Sequence, residues 1–435
     1  MPHYNLISLL IDKVKETPIL KNLMVLVSGS AMAQLIGVLA APLLSRLYSP
    51  EEFGVIGSIM AVVGVISVVS SLKYEMALVI EKDDAKVHSL QVLCWRILLA
   101  TTALTAVAIL SAPWWLHRLS NDETLLRFLP WAIPIVFLTG LYNIYNFRLN
   151  RERRYKSLSM SLVSRRLCLV ATQVVLGFCG AQALGLVLGN LAGCLVAVIV
   201  LFASNRAVLS TRHDGAGDLK GVARKHYRFP AYSAPQNLLN SLSQNLPVYI
   251  LGYFYGMEVV GAYWFTTSIL RLPAALVGQA VRQVFYKEAS ELIDKPELLW
   301  KLYKKTTLIL ALVIALPVLV VYCWGKWLFV LFFGGDWSLA GEFARWMIFW
   351  VATGFVNPPA TGLFNVLSKQ KHLAYIDLLQ LLLRGLILVY GGFNWSAINT
   401  IIGFSVVGIV CNIYLINYWV YFFRNNEEFC NKPTR

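Results

Sequence analysis

Arg165, Arg166, Arg271 and Arg384 each stand inside a long apolar run. An ionised side chain at membrane depth costs at least about 2.5–3.5 kcal/mol on insertion scales, so by default it lines a pathway or meets a partner. Arg384 lies eleven residues past Leu373 in LAYIDLLQLLLRGLILVYGG, about 16 Å deep at the helical rise. Asp377 precedes it by seven positions, on the same helical face two turns away. Arg271 sits in the middle of VVGAYWFTTSILRLPAALVGQAV and is followed by Pro273. Arg165 and Arg166 stand two turns into SLSMSLVSRRLCLVATQVVLGF, where each either snorkels to the interface or lines a cavity. Lys73 and Glu75 close the inner end of another run. Deep basic groups outnumber deep acids, so a cavity lined by them attracts anions. Guanidinium binds phosphate bidentately and stays charged, which suits a diphosphate. The expected anion site is therefore Arg271 and Arg384 with Arg165 or Arg166 facing them, Lys73 guiding entry, and Asp377 and Glu75 as charge partners or coupling groups.

Neutral polar residues add a weaker signal. Asn237 and Asn240 belong to an amide-rich run that also holds Gln236, Gln244 and Asn245 between Pro235 and Pro247. Tyr142, Asn143, Tyr145 and Asn146 form a second such group, and Asn357-Pro358-Pro359 a third. Amides and aromatics are common contacts for glycans, and they also hold helices together inside membranes. Both readings stay open on sequence alone. The prolines point to bent helices.

The elements that position these groups follow from composition. The chain is 57% hydrophobic and 14% charged, against about 25% charged in a soluble domain. Apolar stretches near 20 residues recur throughout, the length that crosses roughly 30 Å of hydrocarbon as a helix. A membrane barrel would alternate instead. The fold class is an all-α integral membrane protein with twelve expected spans: 23–45, 54–74, 91–112, 127–148, 157–179, 182–204, 231–254, 259–281, 306–332, 340–365, 372–391 and 396–422. Residues 1–22 read as an interfacial helix, with Leu6, Leu9, Leu10 and Val14 on one face and charges opposite, and not as a cleavable signal.

Two halves repeat one plan. ILKNLMVLVSGSAMAQLIGVLAAPLLSRLYSPEEFG at 19–54 matches YRFPAYSAPQNLLNSLSQNLPVYILGYFYGMEVVG at 227–261 when slid by 207 positions, pairing Tyr48 with Tyr255, Glu51 with Glu258 and Gly54 with Gly261. The expected lobes are 23–204 and 231–423, joined by a linker at 205–230 and followed by a tail at 424–435. Lys and Arg concentrate in alternate connections, including Arg148, Arg151, Arg153, Arg154 and Lys156, and in the linker. Both termini and the linker are therefore expected in the cytoplasm. Basic loops beside anionic lipid explain the net charge of +15 without nucleic acid. The seven cysteines and six histidines are dispersed, so neither a disulfide framework nor a metal site is expected. No Walker A loop and no loop long enough to fold as a domain is present, so the work falls to the helices, with no cofactor.

PLLSRLYSPEEFG at 42–54, SLKYEMALVIEKDD at 71–84 and FPAYSAPQNLLNSLSQNLPVYILGYFYGMEVVGAYWFTTSILRLPAALV at 229–277 resemble bacterial polysaccharide-biosynthesis flippases of the multidrug/oligosaccharidyl-lipid/polysaccharide exporter superfamily. The resemblance runs along essentially the whole chain. It implies two six-helix lobes around a central cavity in the bacterial inner membrane. It also implies translocation of an undecaprenyl-diphosphate-linked oligosaccharide, such as an O-antigen unit, from the cytoplasmic to the periplasmic leaflet. Membrane lipids, a coupling ion (H+ or Na+), a polysaccharide polymerase and a chain-length regulator are the further partners it suggests. Twelve spans depart from the fourteen of the peptidoglycan-precursor branch. Three alternatives compete. A drug/cation antiporter of the same fold would need buried acids. A membrane glycan polymerase, an enzyme, would carry a large periplasmic loop. A non-transporting scaffold would leave the deep arginines without a purpose.

Overall fold

A computed structural model describes residues 18–111, 123–204, 218–367 and 369–425, and these are helical almost throughout. Of the interfacial helix expected over 1–22, residues 1–17 lie outside the described residues, as do most of the linker and the tail beyond Asn425, while residues 18–22 open the first described helix. The helices are α1 (Pro18–Leu47), α2 (Pro50–Val69), α3 (Asp84–Leu110), α4 (Ala132–Arg151), α5 (Tyr155–Phe178) and α6 (Gln182–Ser204). After the linker come a short α7 (Leu219–Lys225), α8 (Ala234–Tyr255), α9 (Met257–Leu270), α10 (Leu272–Glu291) and α11 (Pro296–Phe333). The last are α12 (Ser338–Val356), α13 (Pro358–Val366), α14 (Gln370–Asn394) and α15 (Ala397–Asn425).

Local chemistry sets several of these ends. Ser49 and Glu52 form a reciprocal capping box at the start of α2: the Ser49 N–H donates to Glu52 Oε2 at 2.7 Å, and the Glu52 N–H to Ser49 Oγ at 3.3 Å. Pro50, Pro296 and Pro358 open α2, α11 and α13, where the missing N–H costs no ladder bond. Pro42, Pro247 and Pro317 instead lie inside α1, α8 and α11 without ending them.

Nine helices among the described residues are long and apolar enough to cross a membrane. The other three expected spans are present but altered. The stretch expected over 231–254 is α8, a single helix whose amides dilute its apolar character. The one expected over 259–281 splits into α9 and α10 at Arg271, because Pro273 cannot donate the amide that would continue the ladder. The one expected over 340–365 splits into α12 and α13 at Asn357-Pro358 for the same reason. The second expected span also ends early. α2 stops at Val69, and Leu72 and Lys73 follow in the left-handed region, with φ of 50° and 63°. α11 is one rod of 38 residues, about 57 Å at the helical rise, so it outruns the bilayer core.

The chain divides into two compact units: unit 1 holds residues up to Tyr48 with Val55–Asn245, and unit 2 holds Ser49–Gly54 with Leu246–Arg435. In unit 1 the core gathers Tyr74, Leu90, Cys94, Leu98, Tyr145 and Leu201 from the α2–α3 connection, α3, α4 and α6. In unit 2 a comparable core joins Phe285, Tyr303, Phe364, Trp419 and Phe423 from α10, α11, α13 and α15.

The repeat read from sequence is carried by matched contacts. Within unit 2 the first turn of α2 crosses α9 so tightly that only glycine fits. A Cβ at Gly54 would lie 1.9 Å from the Met257 carbonyl oxygen, and one at Gly261 would lie 1.8 Å from that of Pro50. Each partner is the other's equivalent at the 207-residue offset. The paired tyrosines also act alike. Tyr48 Oη donates to the Gln173 carbonyl at 2.6 Å, tying α1 to the α5–α6 hairpin. Tyr255 Oη lies 2.8 Å from the Gly391 carbonyl and 2.7 Å from Thr400 Oγ1, tying α8 to the α14–α15 hairpin.

Candidate functional site

Arg384 lies midway along α14 and is 8% exposed. Its guanidinium stands between two aromatic faces, 4.7 Å from the Trp350 ring of α12 and 4.6 Å from the Phe404 ring of α15. Arg271 reaches the same indole from the break between α9 and α10, 5.0 Å from its centre. Gly408 makes the space, since a Cβ there would sit 2.3 Å from Arg384 Nη2 and 2.5 Å from the Trp350 ring. With its amide oxygen turned toward the guanidinium, Gln380 accepts from Arg384 Nη2 at 2.9 Å and from Nη1 at 3.0 Å. Among the described residues no carboxylate lies within ion-pair distance of either arginine.

Asp377, expected as the partner of Arg384, does not fill that role; the neutral Gln380 does. Seven positions set the two charges two turns apart, about 10 Å along the axis. Asp377 instead lines a cavity of about 480 Å³ within unit 2, with Arg282, Tyr286, Asn357, Gln380 and Asn412. A polar chain runs beside it: Asn357 Nδ2 donates to Asn412 Oδ1 at 3.0 Å, and Asn412 Nδ2 to Thr353 Oγ1 at 3.1 Å. Gln380 touches both the cavity and Arg384.

In unit 1 the adjacent arginines diverge, as successive helical residues about 100° apart must. Arg165 turns toward α4 and α6, 5.5 Å from the Tyr142 ring, and its Nη2 donates to Cys194 Sγ at 3.2 Å. Arg166 turns toward α1, where a Cβ on Gly37 would meet its Nη2 at 2.0 Å. Lys73 and Glu75 form an ion pair at 3.7 Å. Glu75 is 1% exposed and also takes the Ser71 hydroxyl bond. The Lys73 charge is therefore largely offset locally, which weakens its nomination as an entry guide. Asn237 bonds back to the Ser233 carbonyl at 2.8 Å within its own run, and the exposed Asn240 meets Gln244 at 3.3 Å.

Sequence reasoning missed Trp350, Phe404, Gln380 and Gly408. One signal was available for Gln380, which precedes Arg384 by four positions and so shares its helical face. It also missed the buried Glu81 between α2 and α3, which binds Lys225 Nζ at 2.6 Å and His226 Nε2 at 3.0 Å at the end of α7. The Lys225 hydrogen bond, with that of His226, holds the Glu81 carboxyl down to about 2 against the opposing effect of burial. Arg151 completes the junction, donating to the Glu81 and Lys82 carbonyls at 3.2 Å and pairing with Asp84 at 2.7 Å. Among the described residues no group of three or more His, Cys, Asp or Glu side chains is placed to hold a metal ion.

Comparisons with known proteins bear on the family and the fold. The profile of a family described as polysaccharide biosynthesis protein matches residues 43–341. The teichuronic acid biosynthesis protein TuaB of Bacillus subtilis (strain 168) is 24% identical over 218 residues, which span 48% of this chain and 43% of that relative's length. Two solved structures share the fold. An inward-facing multidrug-resistance MATE-family transporter of the MOP superfamily superposes with a TM-score of 0.71 at 13% identity, over 93% of this chain and 95% of that one. The lipid II flippase MurJ, in an inward closed conformation, gives 0.71 at 12% identity, over 94% and 90%.

Proposed function

The chain belongs to the polysaccharide biosynthesis protein family, a multi-pass helical membrane protein of the MOP fold with about twelve helices, and from that premise we propose that it flips a lipid-linked oligosaccharide. The substrate is an undecaprenyl-diphosphate-linked repeat unit. It passes from the cytoplasmic to the periplasmic leaflet of a bacterial inner membrane by alternating access, for an O-antigen-like surface polysaccharide. The termini and the linker face the cytoplasm on this reading, following the Lys/Arg asymmetry. A coupling ion drives the cycle, and a polymerase with its chain-length regulator takes the product.

One observation carries the reading: two guanidiniums share the Trp350 ring with no carboxylate beside them. In a medium of low dielectric, like charges held together are costly unless an anion joins them. The aromatic faces reduce that cost and fix both groups in place. A diphosphate supplies two adjacent anionic centres, which match two adjacent forks. A drug or cation antiporter would need the opposite polarity at this position. The family and its structural relatives are transporters, and the site contains no nucleophile paired with a base, so no enzymatic step enters the reading.

Complementation of a flippase-deficient strain tests it, with membrane expression checked for each variant. Arg271→Ala and Arg384→Ala should each lower surface glycan about ten- to a hundredfold, the loss of one charge-assisted contact. Arg→Lys should retain part of the activity. Full restoration by both alanine variants at normal expression would refute the anion site.

A further inference from the structure

The cavity within unit 2 lies beside the arginine pair and has its own chemistry. Its volume of about 480 Å³ falls inside the roughly 300–1,000 Å³ range of small-molecule pockets, far above what a single ion requires. Its lining brings together acceptors and donors in neutral and charged form. Asp377 is an acceptor with no ion-pair partner among the described residues. Asn357 is 7% exposed, and its Oδ1 has no hydrogen-bond partner among the described residues. Gln380 gives its oxygen to Arg384 and keeps two N–H donors. Arg282 and the Tyr286 ring complete the wall.

We infer that this cavity is a carbohydrate subsite, one that takes a sugar through neighbouring hydroxyls held by Asp377 and the amides. A hydroxyl both donates and accepts, so it satisfies a carboxylate and an amide N–H at once. The Tyr286 ring in the lining offers the flat apolar contact that a sugar face needs. A dehydrated cation fits less well, because Arg282 shares the wall and repels it. The position of Gln380 gives the subsite its meaning. A diphosphate at Arg384 would deliver the sugar attached to it one helical turn along α14, into the cavity. That last link rests on the flippase reading; the binding of sugar to the cavity does not.

The experiment uses the full chain in lipid nanodiscs and free monosaccharides as probes: galactose, N-acetylglucosamine and glucuronic acid, followed by saturation-transfer NMR. At least one should show transfer in the wild type. Asp377→Asn, which keeps size and removes the charge, should weaken that binding roughly tenfold, and Tyr286→Ala should weaken it independently. Absence of transfer for all three sugars, or equal transfer in Asp377→Asn, overturns the subsite. So does a thermal stabilisation by sodium chloride over choline chloride that disappears in Asp377→Asn, which would assign the cavity to a cation. The two readings fail separately. Surface glycan restored by Arg271→Ala and Arg384→Ala with sugar transfer intact removes the flippase site and leaves the cavity. Loss of glycan in those variants without sugar transfer in the wild type does the reverse.

Discussion

Arg384 of unit 2 and Arg165 of unit 1 occupy corresponding helices, yet their surroundings differ in a way that assigns different work to the halves. Each lies against an aromatic ring from the preceding long helix, Trp350 for one and Tyr142 for the other. Arg384 has a second ring, a neutral amide and another arginine sharing its indole. Arg165 has a cysteine sulfur, and its neighbour Arg166 turns away toward α1. Unit 2 thus concentrates uncompensated positive charge at one point and sets an amide-lined cavity beside it. Unit 1 disperses its arginines and pairs its buried acids, Glu75 with Lys73 and Glu81 with Lys225. The two units share the tyrosine ties of Tyr48 and Tyr255 and differ in their polar interiors.

The crossing of α2 and α9 within unit 2 should break equally from either side. Gly54→Val and Gly261→Val each drive a side chain into a backbone carbonyl less than 2 Å from the new Cβ. Overpacking of this kind costs about 1–3 kcal/mol or more, and a helix crossing cannot relax as a side chain can. Both variants should lose most of their folded protein. Where folded material remains, their thermal stabilities should agree within about 1 kcal/mol. A severe effect at one glycine beside a mild one at the other would show that the crossing is not a symmetric contact.

The polar interiors should break unequally. Trp350→Ala removes a ring from two guanidiniums, while Tyr142→Ala removes one from a single guanidinium. At about 0.5–2 kcal/mol per desolvated cation–π contact, export of surface glycan should fall roughly tenfold or more in the first variant and severalfold at most in the second. Equal losses would return Arg165 to the anion site on the same footing as Arg384.

How much of this was legible in the sequence divides along the same line. Tyr48 with Tyr255 and Gly54 with Gly261 were visible as a repeat because backbone crossings and hairpin ties tolerate few residue types. The depth of Arg271 and Arg384 was visible because apolar runs measure distance along a helix. Their meeting at Trp350 was not, since it depends on which faces of α9, α12, α14 and α15 pack together. Asp377 looked like the partner of Arg384 by face alone, yet two turns of rise separate them. Glu75 was legible as a charge partner, and the structure pairs it with Lys73 at 3.7 Å, though the backbone that joins them was not legible. An i,i+2 pair does not meet on a regular helix, and these two meet because Leu72 and Lys73 adopt left-handed backbone.

The smallest effect concerns the junction where unit 1 holds the buried Glu81. Glu81 holds α7 through Lys225 and His226, with Tyr74 Oη donating to the Ala223 carbonyl at 3.2 Å alongside. Its carboxyl titrates at about 2 in the folded protein, against an ordinary 4.5. A depressed carboxyl contributes stability that is complete above its unfolded value and is lost as pH falls through the folded one. The contribution should therefore be constant from pH 7 down to about 5, then decline between about 4.5 and 2. Glu81→Gln keeps the shape and removes the charge, so it should melt below the wild type at pH 7 by an amount worth about 1–2 kcal/mol. The gap should narrow as pH drops below about 4.5. Lys225→Ala should show the same convergence with a smaller gap, because the Lys225 side chain is half exposed and His226 remains. Melting curves of the purified protein across that range provide the check. A gap that stays constant down to pH 3 would mean that the ionised Glu81 carboxylate is not what stabilises this junction of unit 1.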